Sequence, residues 1–214
     1  MLKSCIFAPC VLKNKLLLNS QLRLRSATPT LNPVQTGYAL SLFLNTMLTI
    51  GLLSDTHGHL DARIFEHFAD CDEIWHAGDF GNLALAQQLA DFKPLRGVYG
   101  NIDSADLRAQ YPENLRFELE GVEVLMTHIA GTPPNYNKRV KALLAQKPSP
   151  HLLICGHSHI LQVLPDNTHH LLFINPGACG QEGWHKQKTL LKFQLAAGKI
   201  QNLALIELGA RGKI

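Results

Sequence analysis

Five times along this 214-residue chain an apolar run stops at a side chain able to hold a metal ion. Thr49 to Leu53 runs into Ser54-Asp55-Thr56-His57, Glu73 to Ala77 into Gly78-Asp79, and Leu95 to Tyr99 into Gly100-Asn101-Ile102-Asp103. Val122 to Thr127 then ends at His128, and Leu152 to Cys155 at Gly156-His157-Ser158-His159. Short runs of this kind, rich in Leu, Ile and Val and closed by a polar break, read as buried strands. Asp55 and His57 are two apart, so they share a side if the extended backbone persists through Thr56. One Asp-x-His triplet is a common accident; its recurrence in kind at every strand end is not. In open α/β sheets ligands bind outside the carboxyl ends of the strands, so these dispersed residues are expected to converge in one crevice.

Between the runs the spacing is helical. Leu60 to Ala69 carries Ile64, Phe65 and Phe68 on one stripe, and Asn82 is placed to cap a helix from Leu83 to Asp91 with Leu85 and Leu89 inward. Strand, helix, strand implies parallel pairing. From Leu115 the texture changes: Arg116 to Glu120, Gly121, and Val122 to Met126 read as a hairpin, and a helix returns at Asn137 to Gln146. Strands are then expected at Leu152 to Cys155, Ile160 to Leu164, His170 to Ile174, Thr189 to Leu195 and Ile200 to Leu208. A βαβ front half and a meandering back half give an α/β fold of two packed mixed β-sheets flanked by helices. Neither G-x-G-x-x-G nor G-x-x-x-x-G-K occurs, so the dinucleotide and P-loop variants are unsupported.

Charge divides the chain at Met47. Residues 1 to 46 hold five Lys or Arg and no acid, while all seventeen acidic residues and all eleven histidines lie from Asp55 onward. The remainder carries fifteen basic against seventeen acidic residues, about −2, so the basic balance of the whole belongs to the extension. That leaves no basic stripe for a polyanion: a nuclease is disfavoured and no nucleic-acid partner is expected. The extension resembles a transit peptide in composition, but its apolar stretches are too short and interrupted for a membrane span. The preferred reading takes residues 1–46 as disordered leader or upstream sequence, with the domain, residues 47–214, starting at Met47. The five cysteines, Cys5, Cys10, Cys71, Cys155 and Cys179, show no C-x-x-C spacing; they read as buried thiols in a reducing, cytoplasmic setting.

Collected, the candidate ligands are Asp55, His57, Asp79, Asn101, His128, His157 and His159. Nitrogen and oxygen donors without thiolate suit Mn, Fe, Co, Ni or Zn better than Ca or Mg, and seven donors exceed what one ion needs. Two ions sharing a carboxylate fit, a device suited to phosphoryl transfer. With Asn175-Pro176-Gly177 added, the ordered motifs resemble those of the calcineurin-like metallophosphoesterases, and among them the short chain without a cap is most similar to the YfcE-like phosphodiesterases. The resemblance implies a four-layer α/β/β/α sandwich and two divalent ions, Mn foremost. It places Asp55, His57 and His159 on one ion, Asn101, His128 and His157 on the other, and Asp79 between them. Asp79, Asn101, His128 and Asp103 are then the catalytic candidates, and a small phosphoester is the expected substrate. A non-catalytic scaffold is the alternative, since the vacuolar sorting subunit of retromer has this fold. Homo-oligomerisation is open, and no membrane partner is expected.

Two departures stand out. Many relatives carry histidine after Gly-Asn where this chain has Ile102, which cannot protonate a leaving group, so good leaving groups should be favoured. His128 is followed by Ile129-Ala130-Gly131 where relatives often place glycine directly. Beyond the motifs, Tyr136, Lys138 and Arg139 could clamp a phosphate, and His185 and Lys186 could reach the substrate from a glycine-rich loop. Cys155 and Ser158 lack the setting of a nucleophile elbow. His76 reads as a satisfied core histidine; His59 and His169-His170 suggest no partner.

Overall fold

The computed structural model describes residues 47–212; the expectation for residues 1–46 lies outside them. Twelve strands and four helices follow in the order β1 (Leu48–Leu53), α1 (Arg63–His67), β2 (Glu73–His76), α2 (Leu83–Phe92), β3 (Leu95–Gly97) and α3 (Ala105–Gln110). Then come β4 (Asn114–Leu119), β5 (Val122–Thr127), β6 (Gly131–Thr132), β7 (Asn135–Tyr136), α4 (Lys138–Leu144), β8 (Leu152–Ile154), β9 (Leu161–Asp166), β10 (Leu171–Pro176), β11 (Gln187–Ala196) and β12 (Lys199–Ala210).

The strands form two five-stranded sheets, β12-β11-β1-β2-β3 and β4-β5-β8-β10-β9, with β6 and β7 as a separate hairpin. Each sheet holds three adjacent parallel strands: β1, β2 and β3 in the first, β5, β8 and β10 in the second. Antiparallel strands complete both. Three apolar clusters define the layers. Ile50, Leu52, Trp75, Val124, Met126, Ile154, Ile174 and Phe193 meet between the sheets. On the outer face of the first sheet, Leu53, Ile74 and Leu190 receive Ile64 of α1, Leu85 and Leu89 of α2, and Leu107 of α3. On the outer face of the second, Leu125, Leu153 and Phe173 receive Val140 and Leu144 of α4. This is the expected α/β/β/α sandwich, in which β1, β2, β5 and β8 end as largely buried strands where they deliver candidate ligands.

Local chemistry sets the element ends. Asn82 caps α2 by accepting from the Leu85 amide at 2.8 Å, and Asn137 caps α4 by accepting from the Val140 amide at 2.9 Å. The Trp75 ring sits edge-on between Phe117 of β4 and Phe193 of β11, with centroids 5.0 and 5.6 Å away, locking one sheet onto the other. Two elements were not expected. Helix α3 buries Leu107 alone, and the β6–β7 hairpin is two residues per strand, so neither shows a period. The first helix is also shorter than Leu60 to Ala69, running only from Arg63 to His67. No helix among the described residues is long and apolar enough to cross a membrane.

Candidate metal centre

The loops that follow β1, β2, β3, β5 and β8 meet at one end of the sandwich. The first sheet supplies Asp55, His57, Asp79 and Asn101; the second supplies His128, His157 and His159. Backbone bonds hold these loops together. The amides of Asp55 and His57 donate to Gly78 and Asp79 carbonyls at 3.0 and 3.1 Å, and the Gly156 amide donates to the His128 carbonyl at 3.0 Å. The His157 amide, from the second sheet, donates to both Asp55 carboxylate oxygens at 3.2 and 3.1 Å. Asn175, at the end of the sixth parallel strand, donates to the Gly156 carbonyl at 2.8 Å and the Ser158 hydroxyl at 3.0 Å, securing the loop that carries both histidines.

Two groups of donors result: Asp55 with His57 and His159, and Asp79 with His128 and His157, each with ligand atoms within 4.8 Å of one another. Each group draws on both sheets. In the first, His159 Nε2 is 3.2 Å from Asp55 Oδ1 and 3.3 Å from His57 Nε2. In the second, His128 Nε2 is 3.2 Å from Asp79 Oδ2 and 3.2 Å from Asn101 Oδ1. Asp79 Oδ2 also lies 3.6 Å from His57 Nε2, so this one carboxylate touches a histidine of each group. All seven expected ligands are therefore placed together.

The backbone is bent to bring this about. Asp55, His57, Asp79, His157 and His159 all have φ between 48° and 69°, the left-handed region that costs a side chain-bearing residue on the order of 1–3 kcal/mol. Asp and His tolerate it better than most. The glycines before the ligands serve close approach instead. A Cβ on Gly156 would stand 2.0 Å from the Ser54 hydroxyl, and one on Gly100 would stand 2.0 Å from Asp79 Oδ1.

Hydrogen bonds fix which ring nitrogens face inward. His128 Nδ1 lies 2.8 Å from the Ala77 carbonyl, which can only accept, so Nδ1 carries a proton and Nε2 presents its lone pair to Asp79 and Asn101. His185 relays the same choice to His159. Its Nε2 donates to the Gly180 carbonyl at 3.1 Å, so its Nδ1 accepts from His159 Nδ1 at 3.3 Å, leaving His159 Nε2 bare toward Asp55. Glu182 Oε2, 3.6 Å from His57 Nδ1, favours the equivalent tautomer there. Outer partners of this kind orient metal-binding histidines. Accordingly, His185→Phe should weaken metal retention about 10- to 100-fold while His185→Asn, which restores an acceptor, recovers part of the loss. Metal content after dialysis against graded chelator is the measurement, and unchanged retention in both variants would refute the relay.

Charge is arranged for cations. Burial alone would raise the Asp79 carboxyl, but the His128 imidazole and the Ile102 amide, which donates to Asp79 Oδ1 at 3.1 Å, hold it below the usual carboxylate range. Burial opposes a charged His128, yet Asp79 and Asp55 raise it. His157 is lowered, by burial first and then by neighbouring His128. Two carboxylates among four imidazoles, three of them with outer partners that leave the inward nitrogen bare, fit divalent cations of the borderline class.

Other expectations resolve differently. Asp103, expected among the catalytic residues, is corrected: its two oxygens accept the Gly81 amide at 2.8 Å and the Gly100 amide at 2.7 Å, so it braces two ligand loops and faces no ligand. Tyr136 is no phosphate clamp either; it is buried and its hydroxyl donates to Asp166 at 2.8 Å, where His169 Nδ1 also binds at 2.8 Å. Lys138 and Lys186 are exposed, and of the former trio only Arg139 lines the pocket beside His128. His76 is a satisfied core histidine: its Nδ1 accepts the Gly78 amide at 3.1 Å, its Nε2 meets Thr56 Oγ1 at 3.0 Å, and burial pushes it down to about 3. Cys155 is buried and pushed up to about 12 by that burial, and Ser158 accepts from Asn175, so neither is an activated nucleophile. Glu182 and Arg108 escaped notice, because nothing in Gln181-Glu182-Gly183 or in the unexpected helix α3 marks them.

Seven N and O donors gathered where the carboxyl ends of two stacked sheets meet define an α/β/β/α protein built around a divalent-metal site. The chain belongs to the calcineurin-like phosphoesterase superfamily, whose domain it matches over residues 48–198. It is 26% identical over 152 residues to a protein called "Probable metallophosphoesterase" in Methanocaldococcus jannaschii, covering 69% of this chain and 76% of that one. An archaeal phosphodiesterase structure superposes with a TM-score of 0.58 at 21% identity, covering 75% of this chain and all of the other. Vacuolar Protein Sorting 29 from Cryptosporidium parvum superposes with a TM-score of 0.59 at 18% identity, covering 76% and 98%. At these identities the two structures speak for the fold alone.

Proposed function

We propose that this chain is a binuclear metal-dependent phosphodiesterase acting on a small phosphoester, with Mn as its working metal and the cytoplasm as its setting. The observation that carries this reading is Asp79, whose Oδ2 reaches a histidine of each donor group, at 3.6 and 3.2 Å. Asp55, His57 and His159 would hold one ion; Asn101, His128 and His157 the other; Asp79 would join both. Bound there, the two ions would supply an acidified water for attack near neutral pH and positive charge for the phosphoryl oxygens. The protein's share is placement. Fixed tautomers keep lone pairs aimed inward, and braced loops keep the donors in register without reorganisation. Ile102 offers no proton to a departing alkoxide, so esters with acidic leaving groups should turn over best.

The likeness to Vacuolar Protein Sorting 29 favours a scaffold as the second reading. A scaffold has no use for His128 and His159 tautomers set from behind by the Ala77 carbonyl and by His185, and the donor set supports the enzyme. Bis(4-nitrophenyl) phosphate decides. The full chain loaded with Mn should hydrolyse it with saturation, lose activity to chelator and regain it on Mn addition. No turnover with Mn, Zn, Ni or Co, joined to stoichiometric binding of another protein, would replace the enzyme with the scaffold.

A further inference from the structure

Beside the Asn101 and His128 half of the centre lies a pocket of about 200 Å³. Its walls include Tyr99, Asn101, Arg108, Glu113, His128 and Arg139. At roughly 30 Å³ per water this is about seven water volumes, room for a compact organic group and not for a polymer. The lining holds two guanidiniums and one carboxylate. Glu113 pairs with Arg139, while Arg108 meets no carboxylate among the described residues. Each guanidinium is anchored from behind. Arg139 Nη2 donates to the Ile129 carbonyl at 3.0 Å and the Thr127 hydroxyl at 3.1 Å. Arg108 donates to the Asp103 and Asn101 carbonyls at 2.8 and 2.9 Å and lies 4.9 Å over the Tyr99 ring. Planar cations held this way are prearranged for an oxyanion, and the ordering of long side chains is already complete before a ligand arrives.

The anchors also say which oxyanion. Both arginines reach backbone carbonyls at or near a candidate ligand, and neither bonds a ligating atom. The reacting phosphoryl group belongs against the ligating atoms; the guanidiniums lie one step further along the substrate. We propose that Arg108 and Arg139 form a subsite for a second anion on the alcohol portion of the substrate, so that the substrate class is a compact phosphoester carrying a carboxylate or a further phosphate. This deepens the phosphoesterase reading and rests on it.

Calorimetry of the full chain loaded with Mn tests the subsite through binding, without turnover. The probes are three non-hydrolysable diester analogues, the monomethyl ester of benzylphosphonate bearing at the para position a carboxamide, a carboxylate or a phosphonomethyl group. At least one of the two probes with a second anionic group should bind tenfold tighter than the carboxamide probe, and that advantage should fall below threefold in Arg108→Met and in Arg139→Met. Preference for the carboxylate would identify a phosphodiester of a hydroxy acid, and preference for the phosphonate a phosphodiester whose alcohol carries a further phosphate. Equal binding of all three probes to the wild-type chain would overturn the proposal. So would an equal loss for all three in both variants, since the arginines would then serve the reacting phosphoryl group or the fold. Failure of the phosphoesterase reading shows elsewhere, as absent hydrolysis of bis(4-nitrophenyl) phosphate.

Discussion

Asp79→Asn is expected to lose at least one equivalent of metal and to lower turnover on the order of 10³-fold, the largest loss of any single substitution at the centre. Asp79 Oδ2 lies 3.2 Å from His128 Nε2 and 3.6 Å from His57 Nε2, so both donor groups depend on it. Two divalent cations against Asp55 and Asp79 leave about +2, and removing one carboxylate raises this to about +3. Asparagine keeps the volume and an oxygen for the Ile102 amide, so the loops need not move. The fold favours this carboxylate in its charged form, so near neutral pH the metal-free variant should unfold at a somewhat lower temperature than the metal-free parent. Metal analysis of the purified variant alongside bis(4-nitrophenyl) phosphate hydrolysis gives the answer: full metal content with wild-type turnover would dismantle the centre.

How much of this was legible depended on whether a residue acts near its own place in the chain. The seven candidate donors could be read because each follows an apolar run, and a strand's end is a local event. The sandwich followed from the change between helical and alternating spacing near Leu115. Asp103 could not be placed this way: it sits within a ligand motif, yet its Oδ1 is engaged by the Gly81 amide, twenty-two positions back. A carboxylate turned toward backbone amides and one turned toward substrate look identical in sequence. Tyr136 misled for a related reason, its hydroxyl being claimed by Asp166 thirty positions on. Glu182 and His185 act on His57 and His159, which arrive from other strands. Helix α3 buries one leucine and has no period, so Arg108 had no element to stand on.

Ile102→His should raise turnover of alkyl phosphoesters about 10²-fold, the scale at which a placed general acid contributes, while changing 4-nitrophenyl esters little. Ile102 is 45% exposed, and its amide donates to Asp79 Oδ1 at 3.1 Å. That bond fixes the residue beside the carboxylate shared by both donor groups, so a side chain here starts from a position next to the reacting phosphorus. An imidazolium can give a proton to a departing alkoxide, whereas 4-nitrophenolate leaves without one. The gain should therefore grow with the pKa of the leaving group, and a plot of log kcat against that pKa should be shallower for the variant. A second signature is pH. The added histidine acts only while protonated, with an ordinary pKa of about 6.5, so its advantage is full below that pH and fades as pH rises through it. Parallel plots for the two proteins, with no alkaline fall in the variant's advantage, would mean that residue 102 does not face the leaving group. The orientation of substrate across the centre, with its alcohol toward Arg108 and Arg139, would then have to be reversed.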